Sequence, residues 1–395
     1  MRVPRGALNP HQELSYSMEA CRMKAMEVFI RHGYRPIYPP SVQRLDDLWE
    51  VLEPSKAGSI VPLTSPHGEP CALTFDVTVS AVLKLMRQEE RRQRPIRICY
   101  AERAFRRPDP PEESFEAYQT GAEIVGADGE GADCEAIYLA DRALREMGMG
   151  DHLFVVGDPA MLRRALRGLP RGMGQELMGA LRRRDLVAYR GILDGLGDPP
   201  KAQLLRDIPN MKGDPSLLDR VRHRFDPREL EDLDRIGEFA RDSGVRIVFD
   251  LSLTRNPDYY SGPAFEIYAP DGTHLGGGGR YDGLLRRAGL LGQAVGFSLD
   301  LTALGSKAPM EVPPPRAMVW CGPLPPSKGL EFTRRLADRG ITFEVSWHGR
   351  AQSSMEICAM KGIRYWIDPS GGLAIHLPTG ERLTVSRFIE ENSPC

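Results

Sequence analysis

The sequence predicts an α+β fold in which an antiparallel sheet is flanked by helices, followed by a small C-terminal α/β domain. Two observations support this prediction. Strand-like apolar runs separated by turn residues fill the core at 1–305, and the pattern becomes helical between about 160 and 243, which we interpret as an insertion. Beyond a proline-rich linker at 306–316, short apolar runs alternate with helical segments through the small domain at 317–395, which predicts a mainly parallel sheet there.

Length and composition indicate a globular protein of at least two domains. The chain has 395 residues, more than one hydrophobic core usually organises, and 41% of them are hydrophobic and 27% charged. No apolar run approaches the length of a membrane span, and the N-terminus lacks the apolar stretch of a secretory signal. We therefore predict a cytoplasmic protein that does not act at a membrane.

The cysteine and histidine patterns predict neither disulfides nor a metal site. Seven cysteines are scattered along the chain, and no Cys-x-x-Cys or His/Cys pair has the spacing of metal ligands. An odd, dispersed set is typical of reduced thiols in the cytosol. The eight histidines form no cluster, so the sequence predicts no metal and no cofactor.

The charge balance argues against a nucleic-acid-binding protein. The formal net charge is -2, whereas nucleic-acid binders usually carry a basic excess. Two basic stretches, at 89–97 and 163–185, interleave arginines with a helical apolar pattern. We interpret both as solvated helix faces.

Local patterns assign the elements that would position a site. Apolar residues at helical spacing predict a helix over 13–32, which Gly33 ends. Two apolar runs, 96–105 and 114–126, predict the strands of an antiparallel hairpin with a long tip at 106–113. Further strands are predicted at 152–161, 245–253, 262–270 and 294–301.

Three segments together resemble the class II aminoacyl-tRNA synthetase core, and specifically the histidyl-tRNA synthetase family. "TRNPDYYSGPAFE" at 254–266 resembles one signature of that family, and "GGRYDGL" at 278–284 resembles the second. "AFRRPDPPEESFEAYQTGAEIVG" is similar to the class II motif 2 hairpin. The resemblance runs in order through most of residues 10–305 and does not depend on one motif. It implies the class II sheet and a C-terminal domain resembling a degenerate anticodon-binding domain.

The resemblance also implies a histidine-binding site. Gln119 and Glu123 lie four residues apart on the second hairpin strand and therefore on one face of it. Arg255, Tyr260 and Tyr281 match positions that line the histidine pocket of the family. Carboxylates for N–H groups, tyrosine hydroxyls and an arginine for a carboxylate suit bound histidine.

Asp76, in "LTFDVT", stands where the family has a carboxylate for the α-amino group, although the arginine usually beside it is Thr74 here. Motif 2 keeps its first arginine, Arg106. The predicted histidine-binding set, which contains no catalytic residue, is Asp76, Thr78, Arg106, Gln119, Glu123, Arg255, Tyr260 and Tyr281.

The resemblance suggests a role for the glycines of "LGGGGRYDGL" at 275–284. Glycine runs often cradle phosphate, because bare backbone N–H groups can point at an anion. Here no Gly-Lys-Ser/Thr follows, and the run does not open a nucleotide-binding helix. We predict that the glycines let a strand and turn approach an amino-acid pocket closely, while a tight turn alone remains the alternative.

The ATP-binding half of the family's site is predicted to be lost. In the synthetases, motif 3 continues after "VGF" through a glycine and a glutamate to an arginine that holds ATP, whereas this chain has Asp300, Thr302 and Ala303 there. Motif 2 has Phe115-Glu116-Ala117 in place of a later Arg-Glu-Phe, and Glu112-Glu113 make its tip acidic. A site that lacks clamping arginines and gains carboxylates repels ATP.

A paralogous group within the family matches this profile, namely the regulatory subunits of short-form ATP phosphoribosyltransferase, the first enzyme of histidine biosynthesis. "CYAERAFR" and "LTFDVT" resemble that group's versions of the motifs. The resemblance implies a non-catalytic subunit that binds histidine as effector, assembles with the short-form catalytic subunit for activity and feedback control, and binds no tRNA. It also implies a homodimeric building block within a larger hetero-oligomer. The alternative is an active histidyl-tRNA synthetase or another tRNA-directed synthetase paralogue.

Structural interpretations of the same residues remain open at this point. Tyr259 fits an ordinary strand aromatic, since alternation sends neighbours to opposite faces. Gln119 and Glu123 fit a wet strand face, and Arg255 fits a structural ion pair. We interpret Asp300 as drift in a motif that has lost its function.

Overall fold

Two compact units, Met1–Met310 and Glu311–Cys395, divide the chain, and the division falls within the proline-rich stretch 306–316. The structure is a computed structural model. It describes residues 3–52, 58–86, 95–107, 114–127, 131–196, 199–254, 260–290, 292–310 and 313–393.

A large, mostly antiparallel sheet organises the first unit. The strands of the first unit are, in chain order, β1 (Arg35–Pro36), β2 (Val42–Arg44), β3 (Pro62–Thr64), β4 (Pro70–Leu73), β5 (Ile96–Phe105), β6 (Glu116–Ala127), β7 (Leu153–Gly157), β8 (Lys212–Gly213), β9 (Ile247–Asp250), β10 (Ala264–Tyr268), β11 (His274–Arg280) and β12 (Gln293–Asp300). Nine of them form one sheet in the order β1-β5-β6-β12-β11-β10-β7-β9-β8, in which the run from β5 to β7 is antiparallel throughout. The predicted antiparallel sheet is therefore confirmed.

The hairpin of β5 and β6 is the longest pairing in this sheet. Ile96 pairs with Val125 and Phe105 with Glu116, so the two strands stay in register over ten residue pairs. The predicted strand 96–105 is confirmed residue for residue, because β-branched and aromatic side chains alternate along it. Most of the predicted tip, at 108–113, lies outside the described residues.

Helices cover both faces of the sheet. They are α1 (Gln12–Arg31), α2 (Leu45–Val51), α3 (Val77–Met86), α4 (Ala132–Glu146), α5 (Pro159–Ala165), α6 (Met173–Arg182), α7 (Leu186–Asp194), α8 (Pro199–Asp207), α9 (Leu217–Val221), α10 (Pro227–Ser243), α11 (Asp282–Arg287) and α12 (Leu301–Lys307). Helices α1, α4 and α12 pack on one face, where Phe29, Ile137, Ile124 and Phe297 join the main apolar core. On the other face, Tyr281 and Leu284 at α11 join a second core with residues of α2, α3 and β5.

The segment between about 160 and 243 is helical as predicted and contains α5 to α10. Short 3₁₀ turns at Ile208–Asn210 and Arg222–Arg224 and the two-residue strand β8 interrupt it. Helix α10 is delimited by its sequence, since Asp226 forms a capping box with Glu229, Pro227 takes the first helical position, and Gly244 ends the helix at a φ of 72°.

The second unit is a five-stranded sheet with helices. Its elements are β13 (Ala317–Trp320), α13 (Pro326–Ala337), β14 (Phe343–Ser346), α14 (Ala351–Met360), β15 (Tyr365–Asp368), β16 (Leu373–His376), β17 (Glu381–Thr384) and α15 (Val385–Asn392). The strand order is β14-β13-β15-β16-β17, parallel over the first three strands and antiparallel over the last three. The predicted α/β alternation holds for the first half, where helices connect parallel strands. The second half is antiparallel, because only short turns separate β15, β16 and β17.

Within the described residues, no helix is both long and apolar enough to cross a membrane. The six cysteines in this part of the chain carry free thiols, and no group of three histidine, cysteine or acidic side chains there is placed to hold a metal ion.

Candidate functional site

The candidate site centres on Glu123, whose side chain is fully buried near the middle of β6. Its neighbours across the sheet are Ile98 on β5 and Gly296 on β12. The face that carries Glu123 is the one covered by α3 and α11, opposite the face that packs against α1 and α4. A buried carboxylate is costly unless hydrogen bonds satisfy it, so its partners decide whether it belongs to a built site.

Three hydroxyl groups donate to this carboxylate. Thr78 Oγ1, in the first turn of α3, lies 2.6 Å from Oε1, and the hydroxyl of Tyr100 on β5 lies 3.1 Å from the same oxygen. Tyr281, which immediately precedes α11, donates to Oε2 at 2.7 Å. Both tyrosines are buried. The cluster therefore brings together an acid and three hydroxyls from four separate elements, and we call it the Glu123 cluster.

The buried position changes the acidity of the cluster. Burial raises the pKa of Glu123 to about 7, although the hydroxyls of Thr78, Tyr281 and Tyr100 each act to lower it. Burial also raises the pKa of Tyr100 well above its ordinary value, and the adjacent carboxylate adds to that shift. Tyr100 therefore remains a neutral donor, while the carboxyl group titrates near neutral pH.

Glycines make the space that the cluster occupies. A Cβ atom at position 296 would lie 1.6 Å from Glu123 Oε2, and one at position 121 would lie 2.7 Å from the Tyr100 hydroxyl. Gly276 to Gly279 all lie within β11, where a Cβ on Gly278 would come 2.1 Å from the carbonyl oxygen of Gly296. The run is thus a strand rather than a tight turn, and its lack of side chains lets β11 and β12 approach closely beside Glu123.

Two other predicted residues lie at the start of α3. Asp76 is buried and caps the helix, since its Oδ1 accepts from the backbone N–H of Val79 at 3.2 Å. Arg106 donates from Nε to the carbonyl of Phe75 at 2.8 Å, and its Nη2 lies 4.0 Å from Asp76 Oδ2. Asp76 is close enough for its charge to raise the pKa of Glu123. Asp76 therefore borders the Glu123 cluster, and Arg106 lies beside Asp76.

The remaining predicted residues lie farther out. Gln119 is half-buried on the Glu123 face of β6, four residues and thus roughly 13 Å from Glu123 along the strand. Tyr260 is buried, and its backbone carbonyl accepts a hydrogen bond from Arg163 of α5. Arg255 and Tyr259 lie outside the described residues.

Arg280 ties the end of the glycine strand to the helical insertion. Its guanidinium pairs with Asp133 of α4 and lies 3.2 Å from Asp232 of α10. The backbone N–H of Ser261 donates to the Arg280 carbonyl at 2.8 Å, which fixes the loop after Tyr260 next to the segment that carries Tyr281. Burial raises the pKa of Asp133 to about 6, and the charge of Arg280 opposes that shift. The insertion therefore shares an ion pair with the edge of the site.

Sequence reasoning missed Tyr100 and Gly296. Tyr100 lies two residues from Ile98 on β5, so strand alternation alone places it on the Glu123 face once the hairpin register is known. Gly296 lies in "VGF", which the sequence analysis used only as a landmark. Both residues are recognised as neighbours of Glu123 only from the register of β5, β6 and β12, which the sequence alone does not reveal.

The positions where the synthetase motif would hold ATP have local structural roles. Asp300 caps α12, because its Oδ1 accepts from the N–H groups of Thr302 at 2.8 Å and Ala303 at 3.0 Å. Asp300 thus stabilises the start of a helix, and its interpretation as drift from the synthetase motif stays a prediction. Glu116 is buried and pairs with Arg103, and its Oε2 accepts from the N–H of Leu8 at 3.1 Å.

Comparisons with known proteins identify the family to which this chain is similar. The sequence profile of histidyl-tRNA synthetase matches residues 8–304. The ATP phosphoribosyltransferase regulatory subunit of Anaeromyxobacter dehalogenans (strain 2CP-1) is 31% identical over 313 residues, which cover 76% of this chain and 89% of that protein. The protein of the same name from Moorella thermoacetica is 28% identical over 315 residues, covering 77% and 81%.

Solved structures share the fold. A crystal structure described as an ATP phosphoribosyltransferase regulatory subunit/histidyl-tRNA synthetase from Bacillus halodurans C has a TM-score of 0.80 at 20% identity and covers 93% of this chain and 97% of its own. Histidyl-tRNA synthetase from Nostoc sp. PCC 7120 also has a TM-score of 0.80, at 18% identity, covering 99% and 98%. At such identities these structures show the fold alone. Profile and sequence relatives together show that the chain belongs to the family of ATP phosphoribosyltransferase regulatory subunits, which is built on the histidyl-tRNA synthetase fold.

Proposed function

We propose that this chain is a non-catalytic regulatory subunit of an ATP phosphoribosyltransferase and that histidine binds as effector at the Glu123 cluster. The observation that carries the proposal is the buried carboxylate of Glu123 with three hydroxyl donors around it. Burying a carboxylate in a core costs free energy, and binding a ligand with N–H donors is a function that would account for its presence there.

The chemistry of the cluster suits an imidazole. A carboxylate accepts an N–H hydrogen bond, and a tyrosine hydroxyl can donate to or accept from the other ring nitrogen. Asp76, at the start of α3, supplies a second buried carboxylate for the α-ammonium group, and Arg106 lies beside it. Histidine would replace a hydroxyl that now donates to Glu123, so the ligand exchanges one satisfied hydrogen bond for another.

The absence of catalysis rests on the other half of the site. Asp300 uses its carboxylate to cap α12, and Ala303 has no charge to offer a phosphate. Losing one charge-assisted contact to a transferring phosphoryl group costs about 3–4 kcal/mol in a transition state. We infer that amino-acid activation, and therefore an active synthetase, is not the function of this chain.

The partner is inferred from the relatives. Their name, ATP phosphoribosyltransferase regulatory subunit, implies a catalytic subunit with which each of them works. For this chain we propose assembly with a short-form catalytic subunit, through a homodimeric building block within a larger hetero-oligomer. The net charge of -2 favours a protein partner over tRNA.

Calorimetric titration with L-histidine tests the site. We expect binding to wild type, with affinity reduced about 5–100-fold in Glu123→Ala and Tyr281→Ala, because each variant strands a buried polar partner. Tyr118→Phe is the matched control, since Tyr118 is on β6 but on the opposite face from Glu123. Unchanged histidine affinity in both site variants would show that histidine binds elsewhere.

Two further measurements test the role. Co-expression with a short-form catalytic subunit should give a larger complex on size exclusion, and histidine should inhibit the activity of that complex. The isolated chain should show no histidine-dependent exchange of pyrophosphate into ATP. Measurable exchange, or salt-sensitive submicromolar binding of tRNA, would favour the synthetase alternative.

A further inference from the structure

Arg280 and Tyr281 are neighbours in the chain whose side chains leave the sheet on opposite faces. The Tyr281 hydroxyl donates to Glu123 Oε2 on the face that α3 and α11 cover. The Arg280 guanidinium reaches Asp133 of α4 and Asp232 of α10 on the other face. Consecutive side chains of an extended segment alternate in this way. One short piece of backbone therefore joins the Glu123 cluster to the helical insertion.

The two carboxylates that hold Arg280 differ in burial. The side chain of Asp133 is 6% exposed and that of Asp232 is 30% exposed. Within the part of the chain that the structure describes, Asp133 Oδ1 is buried without a hydrogen-bond partner, so the charge of Asp133 depends on Arg280. Asp232 Oδ2 lies 3.2 Å from Arg280 Nη1, and Oδ1 accepts from Arg235 of the same helix at 3.0 Å. Asp133 is thus the fixed partner, and Asp232 is the partner through which α10 can change the contact.

The stem of Arg280 packs against the loop that precedes β10. A Cβ atom on Gly262 would lie 3.0 Å from Arg280 Cδ. The backbone of Arg280 accepts from the N–H of Ser261 at 2.8 Å and donates to the carbonyl of Pro263 at 2.9 Å. Ser261 Oγ in turn accepts from the N–H of Asp282, the first residue of α11, at 2.8 Å. A displacement of the Arg280 stem would therefore move the start of α11, next to the tyrosine of the Glu123 cluster.

We propose that Arg280 is a positioning residue that couples the insertion to the Glu123 cluster. The contact between Asp232 and Arg280 sets how firmly Tyr281 holds Glu123 and the ligand of the cluster. The identity of that ligand, histidine, rests on the proposed function, whereas the coupling itself does not require a ligand. Whatever shifts α10 would then change the affinity for histidine, and histidine would in turn favour one position of α10.

A double-mutant cycle tests the coupling without any ligand. Asp232→Ala removes one contact of Arg280 and leaves its buried pair with Asp133, so we expect the variant to fold. Tyr281→Phe deletes the hydroxyl and should raise the unfolding equilibrium constant, measured in urea at pH 8. We expect that factor to be at least about threefold smaller in Asp232→Ala than in the wild-type background, whereas substitutions at independent sites combine within about twofold. Additivity within that limit would overturn the proposal.

Asp234→Ala is the matched control for the cycle. Asp234 lies on the same helix with its side chain 26% exposed, and its two oxygens pair with Arg222 at 2.8 Å each. Its removal deletes an ion pair of the same kind, away from Arg280, and should lower stability without altering the effect of Tyr281→Phe. An equal change in both backgrounds would mean that loosening α10 in general is responsible, and the assignment to Arg280 would fail.

Asp232→Asn separates the geometry of the contact from its charge. The amide keeps an oxygen that can accept from Arg280 at the same place on α10. The effect of Tyr281→Phe should therefore return to within about twofold of its value in the wild-type background. An effect as small in Asp232→Asn as in Asp232→Ala would indicate that the charge acts on Glu123 through space, which contradicts a positioning role.

Calorimetry with L-histidine connects the coupling to the ligand. We expect affinity at least about threefold weaker in Asp232→Ala, and the wild-type value in Asp234→Ala and Asp232→Asn. Histidine binding that responds to Tyr281→Ala but is unchanged in Asp232→Ala would leave the proposed function standing and overturn the coupling. No histidine binding by the wild-type chain would overturn the proposed function, and the cycle on unfolding would still decide the role of Arg280.

Discussion

Two positions along the β6–β12 pair differ in what their side chains do. In the middle of the pair Glu123 faces Gly296, and the carboxylate is enclosed by hydroxyls from α3, β5 and the start of α11. At one end of the pair Gln119 faces Asp300, whose carboxylate is spent on capping the helix that follows it. The same two strands therefore hold a cluster assembled from distant segments and, about 13 Å away, a purely local contact.

This difference is one between a cluster of distant segments and a local contact. A cap needs only a short polar side chain and the next three residues. The Glu123 cluster needs four elements in register and glycines that leave room for it. Local propensity alone does not assemble a cluster of that kind, which is why we propose the Glu123 cluster as the site of function.

The largest expected effect comes from a substitution that disrupts the packing of the Glu123 cluster. Gly296→Ala would place a methyl group against Glu123 Oε2 and 2.6 Å from the Ala122 carbonyl oxygen, which belongs to the backbone of the paired strand. We expect the free energy of unfolding to fall by about 3 kcal/mol or more in urea denaturation, with loss of histidine binding. Gly191→Ala in α7, with nothing within 4 Å, is the control and should be neutral or slightly stabilising. A Gly296→Ala protein as stable as wild type would mean that the two strands are not so closely packed.

The next test uses pH. Glu123 has a folded pKa of about 7, above its ordinary value of 4.5, so the folded state holds a proton that the unfolded state has lost between those values. Stability should therefore fall as pH rises from about 4.5 through 7. Glu123→Gln mimics the protonated acid and lacks this term, so its stability relative to wild type should increase by about 2–3 kcal/mol between pH 4.5 and pH 8. Urea titrations at the two pH values measure this difference, and a pH-independent difference would contradict the raised pKa.

Removing one donor has a smaller effect. Tyr281→Phe deletes the hydroxyl that donates to Glu123 Oε2 at 2.7 Å and leaves the ring in place. We expect a loss of about 1.5–2 kcal/mol at pH 8, where the carboxyl is ionised, and less at pH 5. Tyr118→Phe should change stability by less than about 0.5 kcal/mol, because that side chain is only half-buried. Equal effects of the two substitutions would indicate that the hydroxyl of Tyr281 contributes no special bond.

The smallest expected effect concerns the helix cap formed by Asp300. Asp300→Ala removes the cap of α12 and should lower the free energy of unfolding by about 1 kcal/mol, while Asp300→Ser should restore most of it. Histidine affinity, measured by calorimetry, should stay at the wild-type value in both. A marked change in affinity would place Asp300 in the ligand site and remove the contrast between the two positions.

The sequence predicted the elements better than the contacts between them. Strand and helix limits such as those of β5 and α10 follow from alternation and capping residues, which act over a few positions. The pairing of Glu123 with Gly296 joins residues 173 positions apart and depends on register, to which local pattern is blind. For the same reason Tyr100 was missed. Resemblance supplied Thr78 and Tyr281, but only the assembled sheet shows that they meet Glu123.

The order of the strands in the chain also determines how long the β5–β6 hairpin stays unpaired during synthesis. Strand β6 ends at Ala127 and its neighbour β12 begins at Gln293, so the ribosome must add 166 residues after the hairpin before the sheet can close. At about 5–20 residues per second, the hairpin waits roughly 8–33 s with an open edge on which Glu123 has no Gly296 beside it. During that interval the nascent chain presents unpaired strand backbone to other nascent chains, and α1, already complete, is the cover available for its apolar face. The N-terminal helix is thus the part of the fold that we expect chaperones and truncation to act on first.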